Sequence, residues 1–261
     1  NPMATQIDKF LKLEYLPDSS SNITQNPKIK IPLKPHQLSL INSCKEFEKK
    51  QYRKVQTEHT NQEVEINSSL GIIGDNVGSG KTYVALSLIA EGKIESQSDV
   101  DIQHHYYGKI QTIIKKKVLA EDFLNVDIVV VPHNILSQWE NSLKNTSLKY
   151  MVYHKKPIIN KFVEEFISDS EKERDDYNIK NWTSYKYHYG WYDKEKLFNS
   201  TSKYDLILVS STKFVEFCDI VCSFKINRLI FDEADTINIP SCPHLKNNFT
   251  WFITSTYENL I

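Results

Sequence analysis

Two short strings carry the chemistry of this chain. The first is Gly74 to Thr82, G-D-N-V-G-S-G-K-T; the second is Asp232 to Asp235, D-E-A-D. Glycines in a turn let backbone N–H groups converge on phosphate oxygens, and a helix starting there adds the positive end of its dipole. In such a turn the Lys81 ammonium reaches the β- and γ-phosphates of a nucleotide, and the Thr82 hydroxyl ligates magnesium. Asp75, Asn76, Val77, Gly78, Ser79 and Gly80 form the cradle between them. The general pattern G-x-x-x-x-G-K-[ST] asks for glycine where this chain has Asp75, with Gly74 and Gly78 close by. The acidic string supplies the other half of a hydrolytic site. A strand-terminal Asp232 would hold magnesium through water, and Glu233 would polarise the attacking water. Each string alone has a plain alternative, a glycine turn before a helix and an acidic helix start. An acid pair after a phosphate loop points to hydrolysis rather than binding alone.

Such residues need a scaffold, and the hydrophobic pattern describes one. Leu70–Ile73 reads as a buried strand, and Thr82–Ala90, with Val84, Leu86, Leu88 and Ile89, as a helix packed on a sheet. Further strands are expected at 126–131 (V-D-I-V-V-V), 148–153, 204–209, 228–231 and 250–256. Helices are expected from Pro132 through Leu136, Trp139 and Leu143, at 157–167 and at 214–221. Alternating strands and helices, with polar residues at strand carboxyl ends, predict an α/β fold with a doubly wound parallel sheet. Pro35 opens a helix carrying Leu38, Leu40 and Ile41. Gln37, early in it, has an amide that can pair with both the donor and the acceptor of adenine; the plain alternative is a solvent-facing glutamine. Residues 45–66 read as the rest of that helix and a loop. Residues 91–121 read as a surface insertion with one or two short strands. Its His104, His105, Tyr106, Tyr107 and Lys115–Lys117 suit either nucleic acid or a solvated edge strand. Residues 168–202, rich in charge, Tyr and Trp, read as a second insertion, with Trp182 and Trp191 outside the core.

Composition narrows the partners. The 261 residues suit one large α/β domain, and 40% hydrophobic content is enough for a core. A net charge of -1 excludes a global basic field, so nucleic acid would have to be held by a local patch or by backbone and hydroxyl donors. Cys44, Cys218, Cys222 and Cys242 form no C-x-x-C; a zinc site from the last three with His244 is disfavoured against reduced thiols of an intracellular protein. No secretory leader opens the chain and no apolar run approaches the roughly 20 residues of a membrane span, so no membrane partner is expected. Asn1-Pro2 ahead of Met3 looks like a cloning remnant.

With all the strings in view, the chain resembles the first RecA-like domain of a superfamily 2 helicase or translocase. L-K-P-H-Q (33–37) resembles the Gln motif, D-N-V-G-S-G-K-T (75–82) motif I, and V-V-V-P-H-N-I-L-S-Q-W (129–139) motif Ia. L-I-L-V-S-S-T-K-F (206–214) resembles the Ib region, F-D-E-A-D (231–235) motif II, and F-I-T-S-T-Y-E-N-L (252–260) motif III. The look is closest to chromatin-remodeller-like translocases and transcription-associated helicases of large DNA viruses, although Asp235 stands where that branch commonly has His. The resemblance implies ATP and Mg2+ as cofactors, with Lys81, Asp232 and Glu233 catalytic and Thr82 and Asp232 at the metal. It assigns Gln37 to adenine, and Pro132, His133, Asn134, Ser211 and Thr212 to the backbone of DNA or RNA. It gives Thr254, Ser255 and Thr256 the coupling of the two sites. It divides the chain into an N-terminal extension, 1–30, and a RecA-like domain, 31–261, with insertions near 92–122 and 168–202. A second RecA-like domain, which supplies arginines to the γ-phosphate, is expected as a partner outside this chain. Self-association could supply an arginine only from Arg53, Arg174 or Arg228. Transcription machinery as partner, and an intracellular, viral-factory or virion location, belong to the same expectation. The rival reading is a non-catalytic helicase-like scaffold.

Overall fold

The computed structural model describes residues 24–56, 63–94, 100–107, 110–117, 123–174, 191–240 and 242–256. The first element is helix α1, Pro35–Lys50, with Pro35 in its first turn and Gln51 closing it at φ 49°. Residues expected to continue as a loop instead form an antiparallel pair, β1 (Tyr52–Gln56) and β2 (Glu63–Asn67). Strand β3, Leu70–Gly74, then runs into the glycine turn and helix α2, Lys81–Ala90, which buries Lys81 and every residue from Val84 to Ala90. An antiparallel hairpin, β4 (Val100–Tyr107) and β5 (Ile110–Lys117), forms its own two-stranded sheet. That hairpin occupies most of the first expected insertion.

The remaining strands are β6 (Phe123–Leu124), β7 (Asp127–Val131), β8 (Tyr150–Tyr153), β9 (Leu206–Ser210), β10 (Lys225–Asp232) and β11 (Asn247–Thr254). With β3 they make one parallel sheet in the order β3-β11-β10-β7-β9-β8, and β6 pairs with the start of β10. The linking helices include α3 (Leu136–Leu143), α4 (Lys156–Glu164), α5 (Asp169–Lys172), α6 (Lys194–Thr201) and α7 (Phe214–Val221). Alternate residues of each central strand face opposite layers, so β7 sends Ile128 and Val130 to one core and Val129 and Val131 to the other. One layer holds α4 and α7, and the other holds α1, α2 and α3. The expected doubly wound parallel sheet is therefore present. Gly71 is the one residue β3 can use beside Trp251, because a Cβ there would lie 2.2 Å from the indole ring.

Two expectations change. Trp191 is 5% exposed and packs on Phe166 in the core, and α6 buries Leu197, Ser200 and Thr201. The last part of 168–202 is thus core rather than insertion, tied back by the Ile167–Tyr192 bridge. Aromatic side chains cluster there because they bury area that a short helix alone cannot. Trp182 lies outside the described residues, as do 1–23 and Tyr257.

The second change concerns Arg228. It is 2% exposed and grips Glu48 of α1 with two hydrogen bonds, Nε to Oε1 at 2.7 Å and Nη2 to Oε2 at 2.8 Å. Its Nη1 donates to Asp127 Oδ2 at 3.2 Å and to the Gly92 carbonyl at 2.7 Å. Trp251 Nε1 adds a third donor to Glu48 at 2.8 Å. Arg228 therefore ties α1, the end of α2, β7 and β10 together and cannot reach out to a second copy. Arg174 is within 3.6 Å of Glu171, and Arg53 has no described side chain.

Candidate nucleotide and nucleic-acid site

Register brings the polar strand ends side by side. Gly74 of β3 pairs with Thr254 of β11, and Ile253 pairs with Asp232 of β10. The carboxyl edge of the sheet thus presents, in order, the glycine turn, the Thr254–Thr256 exit and the Asp232–Glu233 pair. After these come His133–Asn134 beyond β7, Ser211–Thr212 beyond β9 and His154 beyond β8.

In the turn, Gly78 (φ 80°) and Gly80 (φ 86°) take left-handed backbone, which suits glycine. Lys81 is buried and folds back over the turn, donating to the carbonyls of Asp75 at 2.6 Å and Asn76 at 2.9 Å. Asp75 Oδ1 accepts from Asn76 N at 2.8 Å, which gives the acidic residue a local role in shaping the turn. Val77 is 84% exposed at the tip, and Thr82 sits half-buried at the helix start. Ser79 Oγ is buried with no hydrogen-bond partner. An unpaired buried hydroxyl, a lysine held over the turn and a helix N-terminus are a donor set that fits phosphate oxygens.

Helix α1 braces the turn from behind. Gln37 Nε2 donates to the carbonyls of Ser79 (3.2 Å) and Gly80 (3.3 Å), while its Oε1 accepts from Lys34 N at 2.8 Å. His36 Nε2 also donates to Ser79 O, at 3.2 Å. Gln37 is buried, so the solvent-facing alternative fails, and both ends of its amide are engaged within the chain. In this arrangement the amide is a strut under the glycine turn.

Asp232 is buried, and both its oxygens accept hydrogen bonds: Oδ1 from Glu233 N at 3.0 Å and Oδ2 from Trp139 Nε1 at 2.7 Å. Burial pushes its carboxyl above the usual aspartate range, against the pull of the Trp139 bond and the nearby Lys81 charge. Glu233 holds left-handed backbone at φ 53°, pinned by Thr236 N to its carbonyl at 2.9 Å and by Ala234 N to Ile253 O at 3.0 Å. Strained backbone of this kind persists where neighbours over-determine it. Asp235 accepts from Thr254 Oγ1 at 2.5 Å and from Thr256 Oγ1, which joins the Asp232–Asp235 string to the exit of β11 directly. Ser255 lies half-buried between the two threonines.

Farther along the edge, Pro132 leads into the exposed turn of His133 and Asn134, which continues into α3. His133 stacks on His154 with ring centroids 4.6 Å apart. Burial, then the positive neighbours His133, Lys155 and Lys213, hold the His154 imidazole below its usual pKa. Ser211 is half-buried and Thr212 exposed, with Thr212 Oγ1 3.1 Å from Ser210 Oγ. The structure thus gathers the sequence-derived residues along one edge. Sequence reasoning singles out neither His36 nor His154, and it gives the indole N–H of Trp139 no partner.

The SNF2-related domain model matches residues 24–256. The chain belongs to the SNF2-related domain family. It is 26% identical over 222 residues to "Putative helicase R592" of Acanthamoeba polyphaga mimivirus, covering 74% of this chain and 26% of that protein. Among solved structures it is similar to the Sulfolobus solfataricus SWI2/SNF2 ATPase core in complex with dsDNA, at 16% identity and a TM-score of 0.48. That alignment covers 90% of this chain and 34% of the other. This SNF2-related chain therefore spans about a quarter of its mimivirus relative. Although Asp232–Asp235 spells D-E-A-D, the family is SNF2-related, not the DEAD-box branch.

Proposed function

We propose that this SNF2-related domain is the ATP-binding lobe of a nucleic-acid-dependent ATPase that unwinds or moves along DNA or RNA. The observation that carries the reading is the ordered carboxyl edge. A phosphate turn, a coupling pair and an acid pair stand on the adjacent strands β3, β11 and β10, next to exposed polar turns after β7 and β9. Bound ATP with Mg2+ would supply the phosphoanhydride to be cleaved and the cation that gathers its charge. The chain's own residues would do the rest. Lys81 would turn from the carbonyls of Asp75 and Asn76 to the phosphates, with Thr82 and Asp232 facing the metal. Glu233 would orient the attacking water. Asp235, Thr254 and Thr256 would carry the state of that site towards His133, Asn134, Ser211 and Thr212.

The similarity to a mimivirus protein supports a viral source, and a transcription role and an intracellular setting go with that reading. The test is equilibrium binding of a fluorescent ATP analogue with Mg2+. The wild-type chain should bind, and Lys81→Ala should bind at least tenfold more weakly. Equal binding by the two would overturn the assignment, and no binding by either would favour a scaffold.

A further inference from the structure

Trp139 lies on α3, in the segment assigned to nucleic acid, yet its polar end lies at the nucleotide site. The indole is 1% exposed, and its Nε1–H donates to Asp232 Oδ2 at 2.7 Å across 93 residues of sequence. Buried tryptophans generally find an acceptor for this N–H. Here the acceptor is the carboxylate assigned to magnesium, not a backbone carbonyl. With Oδ1 taking Glu233 N at 3.0 Å, two donors from different elements fix the plane of the Asp232 carboxylate. Its other lone pairs would be available to the water shell of a bound metal.

The same short element reaches the opposite function. His133–Ile135 forms a single tight turn that continues without a break into Leu136–Leu143. We infer that Trp139 is a positioning residue: its indole N–H orients Asp232 for magnesium. The inference rests on the ATPase reading above.

Trp139→Phe keeps most of the ring and removes the donor. Trp251→Phe is the matched control, because it removes an indole donor from another buried carboxylate, Glu48, at 2.8 Å. The readout is the gain in nucleotide affinity on adding Mg2+, measured by titration of the folded chain. Loss of a charge-assisted hydrogen bond should shrink that gain about tenfold in Trp139→Phe, while Trp251→Phe keeps it. Both variants should melt lower than wild type, so stability alone cannot mimic the result. An unchanged or larger gain in Trp139→Phe, or an equal loss in Trp251→Phe, overturns the role. Absence of any Mg2+-dependent binding in the wild type would instead refute the ATPase reading. Should Trp139→Phe not fold, the indole N–H spectrum of the wild type decides. One of its four tryptophan signals should shift when Mg2+ is added to the nucleotide-bound protein, and that shift should vanish in Asp232→Asn. No such shift, or one that survives in Asp232→Asn, overturns the proposal.

Discussion

Replacing Arg228 with methionine should be among the most damaging single changes in the chain. The guanidinium is 2% exposed and neutralises Glu48, itself 3% exposed, and Asp127, which is buried beside it. Methionine fills much of the space but leaves two buried carboxylates without their cation. Breaking a buried pair from one side costs about 3–5 kcal/mol. With a urea dependence of about 3 kcal/mol per molar for a chain of this size, the midpoint should fall by more than about 1 M. Adding Glu48→Gln to Arg228→Met should recover about 1–2 kcal/mol, since an amide oxygen still accepts from Trp251 and carries no charge. The deficit should also depend on pH. Burial pushes the Asp127 carboxyl up to about 6, against the opposing pull of Arg228. Its folded value lies above the unfolded one, so its stability contribution is full below about pH 4 and is lost as pH rises through 6. Removing Arg228 enlarges that shift, so the variant's deficit should be widest near pH 8 and narrow towards pH 5. A loss below about 1 kcal/mol at pH 7, or a deficit flat with pH, would refute the account of this cluster.

Three other outcomes follow from the site. Gln37→Ala should weaken ATP and GTP binding alike, by about tenfold, because the amide braces the phosphate turn; a selective loss of adenine preference would return Gln37 to the base. Glu233→Gly should relieve about 1 kcal/mol of left-handed strain at φ 53°, leaving thermal stability level or raised while hydrolysis is lost; a marked drop in melting temperature would contradict the strain. Steady-state hydrolysis by the 261-residue chain alone should be slow and little stimulated by DNA or RNA. Arg228 is committed to the core, and arginines at a γ-phosphate contribute about 10³ to 10⁵ in rate. Strong stimulation would refute this and point to self-association that supplies Arg53 or Arg174.

Local pattern determined much of this protein. Apolar runs such as V-D-I-V-V-V and the glycine turn before Lys81 specify strand and loop because backbone sterics and burial act over a few residues. The order of the strings was enough to reach the family. The sheet order β3-β11-β10-β7-β9-β8 was decided only in three dimensions, where sequence-distant strands compete for the same edges. So were the partners of the polar residues. Nothing near Arg228 in the sequence announces Glu48, 180 residues away, because a buried cation selects its anions by where packing brings them. Trp191 read as an exposed insertion residue for want of a local period, and became core when Phe166 and the Ile167–Tyr192 bridge closed on it. Gln37 and Trp139 were legible as residue types but not as contacts. Their hydrogen-bonding ends reach the glycine turn and Asp232 only because α1 and α3 pack on the same face of the sheet.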